Sequence, residues 1–271
     1  MAASRSHSNS QRSTAAEPVY PALQMIDAEI GSLKSADLVV LHEVNWRVAV
    51  GDYWALGGLQ ASGKSDLLAT AAGLMPPVKG AHLLFGKQVR AGFEPDFLAA
   101  RLCVGIVFEG GRLLHHLTIG ENVALPIRYH ERLSLSEALA RADALLDAMG
   151  LKPYAQHLPG ALSRNWQQRV ALARALALRP EVLLVDNVVS GLDPREASWW
   201  LDILDKLASG HELLDNKPMT LVTTTGDLRP FRNRARQFAA LHEKKFIPFD
   251  QPLENALATN AHLRELLGVV E

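Results

Sequence analysis

The residues Gly58-Leu59-Gln60-Ala61-Ser62-Gly63-Lys64-Ser65 fit the pattern G-x-x-x-x-G-K-[S/T], and each residue type in it has a chemical reason. Glycines let the backbone curl until successive N–H groups point inward, which is how a loop holds phosphate oxygens. A helix starting near Ser65 adds its positive dipole end. Lys64 would reach the outer phosphates of a triphosphate, and the Ser65 hydroxyl would bind Mg²⁺. Asp186 closes the apolar run Val182-Leu183-Leu184-Val185, where a carboxylate can help hold the same cation. Each motif has a bland alternative: a glycine turn that binds nothing, and a cap at the end of a strand. The two together argue for a phosphate site.

Such a loop works only between a strand and a helix, and both are legible. Tyr53-Trp54-Ala55-Leu56 reads as a strand entering Gly57-Gly58, and a helix is expected from about Ser65 to Ala72, closed by Gly73 and Pro76-Pro77. Short strands are expected at Leu38 to Leu41, Val44 to Val48, Leu83 to Phe85, Val104 to Phe108 and Leu221 to Thr224. Ser134 and Glu137 form a capping box ahead of Leu135, Leu139, Ala142, Leu146 and Met149 at helical spacing, with Gly150 as the stop. A further helix is expected from Trp166 to Leu178. Val182 to Val185 is apolar throughout, as a strand buried on both faces should be. Strands alternating with helices predict an α/β fold with a parallel core sheet.

Composition narrows the function classes. The chain has 271 residues, 48% of them hydrophobic, and a formal net charge of -1. No global basic field exists to attract nucleic acid, so a nucleic-acid partner is not expected. No stretch approaches the roughly 18 apolar residues that a membrane span needs. Cys103 is the one cysteine. It permits no internal disulfide, fits a reducing compartment, and reads as a small buried hydrophobe. The Ser- and Ala-rich start reads as a disordered tail, with a transit peptide as the alternative.

With these residues in place, the chain resembles ABC-type ATPases over about residues 25 to 250. Ala72-Gly73-Leu74 follows the loop as in that family. Val107-Phe108-Glu109 and Leu117-Thr118-Ile119-Gly120-Glu121-Asn122-Val123 resemble the Q-loop region. Leu162-Ser163-Arg164-Asn165-Trp166-Gln167-Gln168-Arg169 stands where the LSGGQQQR signature would be, and Ser190-Gly191-Leu192-Asp193-Pro194 looks like the D-loop. The stretch Leu117 to His130 is most similar to the ATPases of Mce-associated lipid transporters. The resemblance implies a P-loop NTPase core, an N-terminal antiparallel β subdomain, and a helical subdomain at about 110–165. It implies a nucleotide-binding domain over 21–250, flanked by a tail over 1–20 and a C-terminal helix over 251–271. The implied cofactors are ATP and Mg²⁺, and Gly58, Gln60, Ser62, Gly63, Lys64, Ser65 and Asp66 are the expected nucleotide-binding set. A membrane permease and a second ABC subunit, identical or not, are the implied partners. The implied location is cytoplasmic, peripheral on the membrane through the permease.

The departures from the family fall on chemistry. Glu109 stands at the Q-loop glutamine, Arg164 and Asn165 at the signature glycines, Asn187 at the catalytic glutamate, and Gly226 at the H-loop histidine. No aromatic residue lies between Pro21 and Val44 to stack on adenine. Asn187 accepts a hydrogen bond but cannot take a proton from water, a role worth about 10²–10⁴ in rate. Arg164 and Asn165 are expected to crowd a γ-phosphate that approaches Ser163. ATP binding with slow hydrolysis is the implied behaviour, and a non-hydrolysing regulatory or scaffold module is the alternative. Two compensations are open. Glu109 could supply a carboxylate beside Ser65, Asp186 and Mg²⁺, and Arg164 could act in trans as an arginine finger. His115-His116 is not expected to share a metal. Trp199-Trp200 reads as packing, and Arg229, Arg232, Arg234 and Arg236 as a solvated basic face.

Overall fold

The computed structural model describes residues 20–90, 95–249 and 264. Apart from Tyr20 and Arg264, the tail expected over 1–20 and the helix expected over 251–271 lie outside them. In chain order the elements are strands β1 (Leu23–Ser32), β2 (Ser35–Val48) and β3 (Tyr53–Gly58), then helix α1 (Lys64–Ala71). Strands β4 (Lys79–Leu84) and β5 (Lys87–Gln88), helix α2 (Pro95–Leu102) and strand β6 (Val104–Val107) follow. Helices α3 (Ile119–Glu131), α4 (Leu135–Ala148) and α5 (Arg164–Leu176) lead to strand β7 (Val182–Asp186) and helix α6 (Pro194–Ser209). Strands β8 (Thr220–Thr225), β9 (Gln237–His242) and β10 (Lys245–Pro248) complete the order.

The strands lie in the order β5-β4-β1-β2-β10-β9-β3-β8-β7-β6. From β9 to β6 all neighbours are parallel, whereas β1, β2, β4 and β5 pair antiparallel. A single parallel pair, Lys245 with His42, joins the two parts. Period-2 side-chain alternation with a core on each face explains why β7 is apolar up to Asp186. In β7, Leu183 and Val185 face the core built with α3 to α6, while Val182 and Leu184 face the core shared by α1 and the antiparallel strands. In β9, Phe238 and Ala240 divide from Ala239 and Leu241 in the same way.

Two capping boxes start the helical region. Ser134 and Glu137 open α4 as expected, and Thr118 and Glu121 open α3 in the same manner. Hydrogen bonds from Thr118 hold the Glu121 carboxyl below its usual range. Buried Asn122 donates to the carbonyls of Leu114, Leu117 and Thr118 and accepts from Leu114 N–H. It thereby fixes the loop leading into α3.

Four expectations need correction. The two short strands expected between Leu38 and Val48 form one strand of 14 residues, paired with β1, which the pattern did not reveal. The physical reason is irregular register: Asp27 (φ 44°) and Glu43 (φ 51°) sit in the left-handed region and interrupt the alternation. Asn45 staples the first of these to its neighbour by bonding Asp27 twice, at 3.0 and 2.8 Å. Cys103 is half-buried just before β6, its Sγ 3.4 Å from Ala99 O, and burial pushes its thiol up. The expected solvated basic face holds at Arg229, Arg232 and Arg236, which are exposed, but not at Arg234, which is half-buried and bound to Asp205; Arg229 also binds Asp227 through both carboxylate oxygens. The fourth correction concerns Asn165 and belongs to the site.

Candidate functional site

Gly58, Gln60, Ser62, Gly63, Lys64, Ser65, Asp66, Glu109, Asp186, Asn187 and Gly226 line one cavity of about 320 Å³ at the C-terminal ends of β3, β7 and β8. That edge is where ligands bind in parallel α/β sheets. Ser190 and Ala61 complete the wall. Ser163 and Arg164 are outside it.

The loop between β3 and α1 needs its glycines. Gly63 has φ 91° and precedes the first turn of α1, and a side chain there would press on Val40 and Leu41 at about 3.3–3.4 Å. A Cβ on Gly58 would meet Ser62 Oγ at 2.4 Å. Lys64 Nζ folds back on the loop, donating to Gly58 O at 2.5 Å and Leu59 O at 2.6 Å. Burial lowers its pKa, while the charges of Asp186 and Glu109 act in the opposite direction. An ammonium held by carbonyls at a cavity mouth is ready to exchange them for phosphate oxygens, which are the stronger, charge-assisted partners.

Ser65 Oγ donates to Asp186 Oδ2 at 2.6 Å, and Thr224 Oγ1 donates to Oδ1 at 2.8 Å. Asp186 is 2% exposed, so both oxygens are aimed by β8 and α1 rather than by water. Hydroxyl and carboxylate oxygens are the donors a hard cation takes, and Mg²⁺ commonly uses one or two of them with phosphate and water. The side chains therefore fit the ion. No group of three or more His, Cys, Asp or Glu able to hold a metal without a ligand's help occurs among the described residues. Asp66 has a task not foreseen: its Oδ1 accepts from Leu33 N–H at 2.7 Å, tying α1 to the turn between β1 and β2.

Asn187 (φ 51°) donates its backbone N–H to Thr224, while its side-chain Oδ1 is buried without a partner. A Cβ on Gly226 would have nothing within 4 Å. Both residues line the cavity wall with Asp186 and Ser190.

The start of α5 holds the fourth correction. Asn165 does not reach outward to crowd a phosphate. It is 8% exposed and turned onto α6, where Oδ1 accepts from Trp200 Nε1 at 2.8 Å and Nδ2 donates to Glu196. Glu196 also accepts from Arg169 at 2.7 Å, and the Arg169 guanidinium lies between the rings of Trp199 (3.7 Å) and Trp166 (4.6 Å). Sequence reasoning missed this brace, although Trp166 and Arg169 at i, i+3 on one helix and Glu196 and Trp199 at i, i+3 on another were its signal. Ser163 is the exposed N-cap residue of α5 with no side-chain cap bond. Arg164 Nη2 binds Glu109 Oε1 of the same chain at 2.6 Å, with both side chains substantially exposed.

The family model described as ABC transporter matches residues 41–190. The methionine import ATP-binding protein MetN of Lactobacillus delbrueckii subsp. bulgaricus is 32% identical over 239 residues, covering 86% of this chain and 66% of that protein. The sulfate/thiosulfate import ATP-binding protein CysA of Mycobacterium tuberculosis is 34% identical over 238 residues, covering 86% and 64%. The chain thus spans just under two thirds of the length of these curated relatives. Among solved structures, the dimeric post-hydrolysis state of the ATP-binding cassette MJ0796 bound to ADP and Pi superposes with a TM-score of 0.71 at 28% identity, covering 82% of this chain and 95% of that one. A second, cbiO1 from Clostridium perfringens, shares the fold at a TM-score of 0.70 and 22% identity. With the fold and the family pattern agreeing over more than half its length, the chain belongs to the ABC transporter family.

Proposed function

We propose that this chain binds Mg-ATP, turns it over slowly, and couples nucleotide-driven pairing with a second ABC subunit to a membrane permease. The observation that carries the reading is the paired geometry of Lys64 on the loop carbonyls and Ser65 on Asp186. Bound Mg²⁺ would neutralise phosphate charge, with Ser65 and Asp186 as its protein oxygens and Glu109 the next carboxylate in reach of the cavity. The rest falls to the chain's own groups. Loop N–H groups and Lys64 hold the phosphates. Asn187 can orient a water but not deprotonate it, and Gly226 brings no imidazole to the γ-phosphate.

Slow turnover follows from those last two positions. Glu109 is the candidate acceptor for a proton from water. Its ion pair with Arg164 must loosen before it can act, and before Arg164 can reach a phosphate on a partner subunit with Ser163 beside it. Among the described residues no helix is long and apolar enough to cross a membrane, so attachment at a membrane would run through the permease. Lipid as cargo rests on the Leu117 to His130 segment, whereas the relatives named above are importers of methionine and of sulfate or thiosulfate. A regulatory subunit that binds ATP without hydrolysing it is the second reading, favoured by Asn187 and Gly226. Phosphate release measured with and without co-purified permease separates the two: stimulation by the permease supports a coupled ATPase, and no release in either state supports the regulatory reading. No saturable binding of labelled ATP would overturn both.

A further inference from the structure

We infer that Arg164 is a positioning residue for Glu109: it neutralises and holds that carboxylate at the cavity wall, and so sets how readily the cavity admits a magnesium triphosphate. The inference rests on the nucleotide-binding reading above. Glu109 stands between two cations. Arg164 Nη2 is 2.6 Å from Oε1, and on the cavity side the Glu109 charge acts on the Lys64 ammonium. A triphosphate with its magnesium arrives with net negative charge. A carboxylate on the wall without a cation of its own would repel it, and the same carboxylate paired with a guanidinium repels it far less.

The backbone around Glu109 has little freedom to avoid the choice. Gly111 packs so tightly on the first turn of α5 that a Cβ would lie 2.8 Å from Gln167 O. Arg174, further along α5, donates to the carbonyls of Gly111 at 2.9 Å and Arg112 at 3.1 Å. Arg174 thus clips the loop to α5 at Gly111 and Arg112, while Arg164 reaches it only through the Glu109 side chain. What remains free is the Glu109 side chain, which can face Arg164 or the incoming ion. Because the pair is solvent-exposed, it is weak enough to exchange.

The test is Mg-ATP affinity of the full chain at low protein concentration, read with a fluorescent ATP analogue, for wild type, Arg164→Ala, Arg164→Lys, Glu109→Gln and Glu109→Gln/Arg164→Ala. Arg164→Ala should weaken binding about three-fold, in the range of exposed ion pairs. Arg164→Lys should restore it. Glu109→Gln, which removes the negative charge from the wall, should bind more tightly than Arg164→Ala, and the double variant should match Glu109→Gln, since without the carboxylate there is nothing to neutralise. Raising the salt to about 0.5 M should close the gap. A loss in Arg164→Ala that persists with glutamine at 109, or no loss at all, overturns the inference while leaving the nucleotide reading intact. Failure of the wild type to bind removes both.

Discussion

The loop around Lys64 and the start of α5 are both matches to family motifs, yet they have fared differently. In the first, every residue with a demanding geometry is present: Gly63 at φ 91°, Gly58 against Ser62, Ser65 on Asp186. In the second, positions that should be bare backbone carry side chains. Asn165 is drawn into the interior between Glu196 and Trp200, and Arg164 is paired across to Glu109. The difference shows that motif loss need not mean disorder. Lys64 and Ser65 keep their side chains at the cavity, whereas Asn165 and Arg164 spend theirs on contacts within the protein.

The largest effect expected from that contrast is on turnover. Asn187→Glu with Gly226→His supplies an acceptor for the proton of water and a base beside it, and a Cβ at 226 would meet nothing within 4 Å. ATP hydrolysis should rise by about 10²-fold or more, measured as phosphate release at saturating ATP. An unchanged rate would mean that the rearranged α5, not the missing acid, limits the chemistry. Next in size is Lys64→Ala. It removes charge-assisted bonds to the phosphates, each worth about 1.5–3 kcal/mol, so ATP affinity should fall about 10- to 100-fold in equilibrium binding. A smaller loss would break the comparison at its firmer side.

Asn165→Gly returns a family residue and should nevertheless be harmful to the fold. It strands Trp200 Nε1 in a buried site and removes one of the two donors to Glu196. The expected loss of unfolding free energy is about 1–3 kcal/mol, read from denaturant midpoints, with ATP affinity of the dilute chain unchanged. If affinity fell in step, the two regions would not be separable.

This variant also marks where the sequence stopped being legible. The phosphate loop, the strand ending at Asp186 and the capping box at Ser134 were all readable, because each is a pattern within about ten residues set by local backbone geometry. Asn165 looked like an obstruction because its partners lie 31 and 35 positions away, on another helix. The pairing of Arg164 with Glu109, 55 positions apart, was hidden for the same reason. β1 was missed on local grounds: left-handed residues at Asp27 and within β2 at Glu43 break the two-residue period on which strand recognition depends. Helix α2 is eight residues long, too short for a helical period to stand out.

The smallest effect separates the two regions by pH. His82 on β4 lies in the core that supports α1 and the phosphate loop; it is fully buried, and neither ring nitrogen has a partner. Burial lowers its pKa from 6.5 to about 3, so the folded chain keeps the imidazole neutral. Below about pH 6.5 the unfolded chain takes up a proton that the folded chain refuses, and stability therefore falls with pH until about pH 3. One pH unit below the unfolded value this amounts to about 1.4 kcal/mol. Chemical denaturation at pH 7.5 and 5.5 should show His82→Leu losing about that much less than the wild type over the interval, since other titrating groups cancel in the difference. The contrast with Asn165→Gly is the informative part. Its deficit arises from stranding the Trp200 indole N–H, which does not titrate, and should be the same at both pH values, so a pH-dependent deficit there, or none in the wild type relative to His82→Leu, would show that the two cores do not fail for separate reasons.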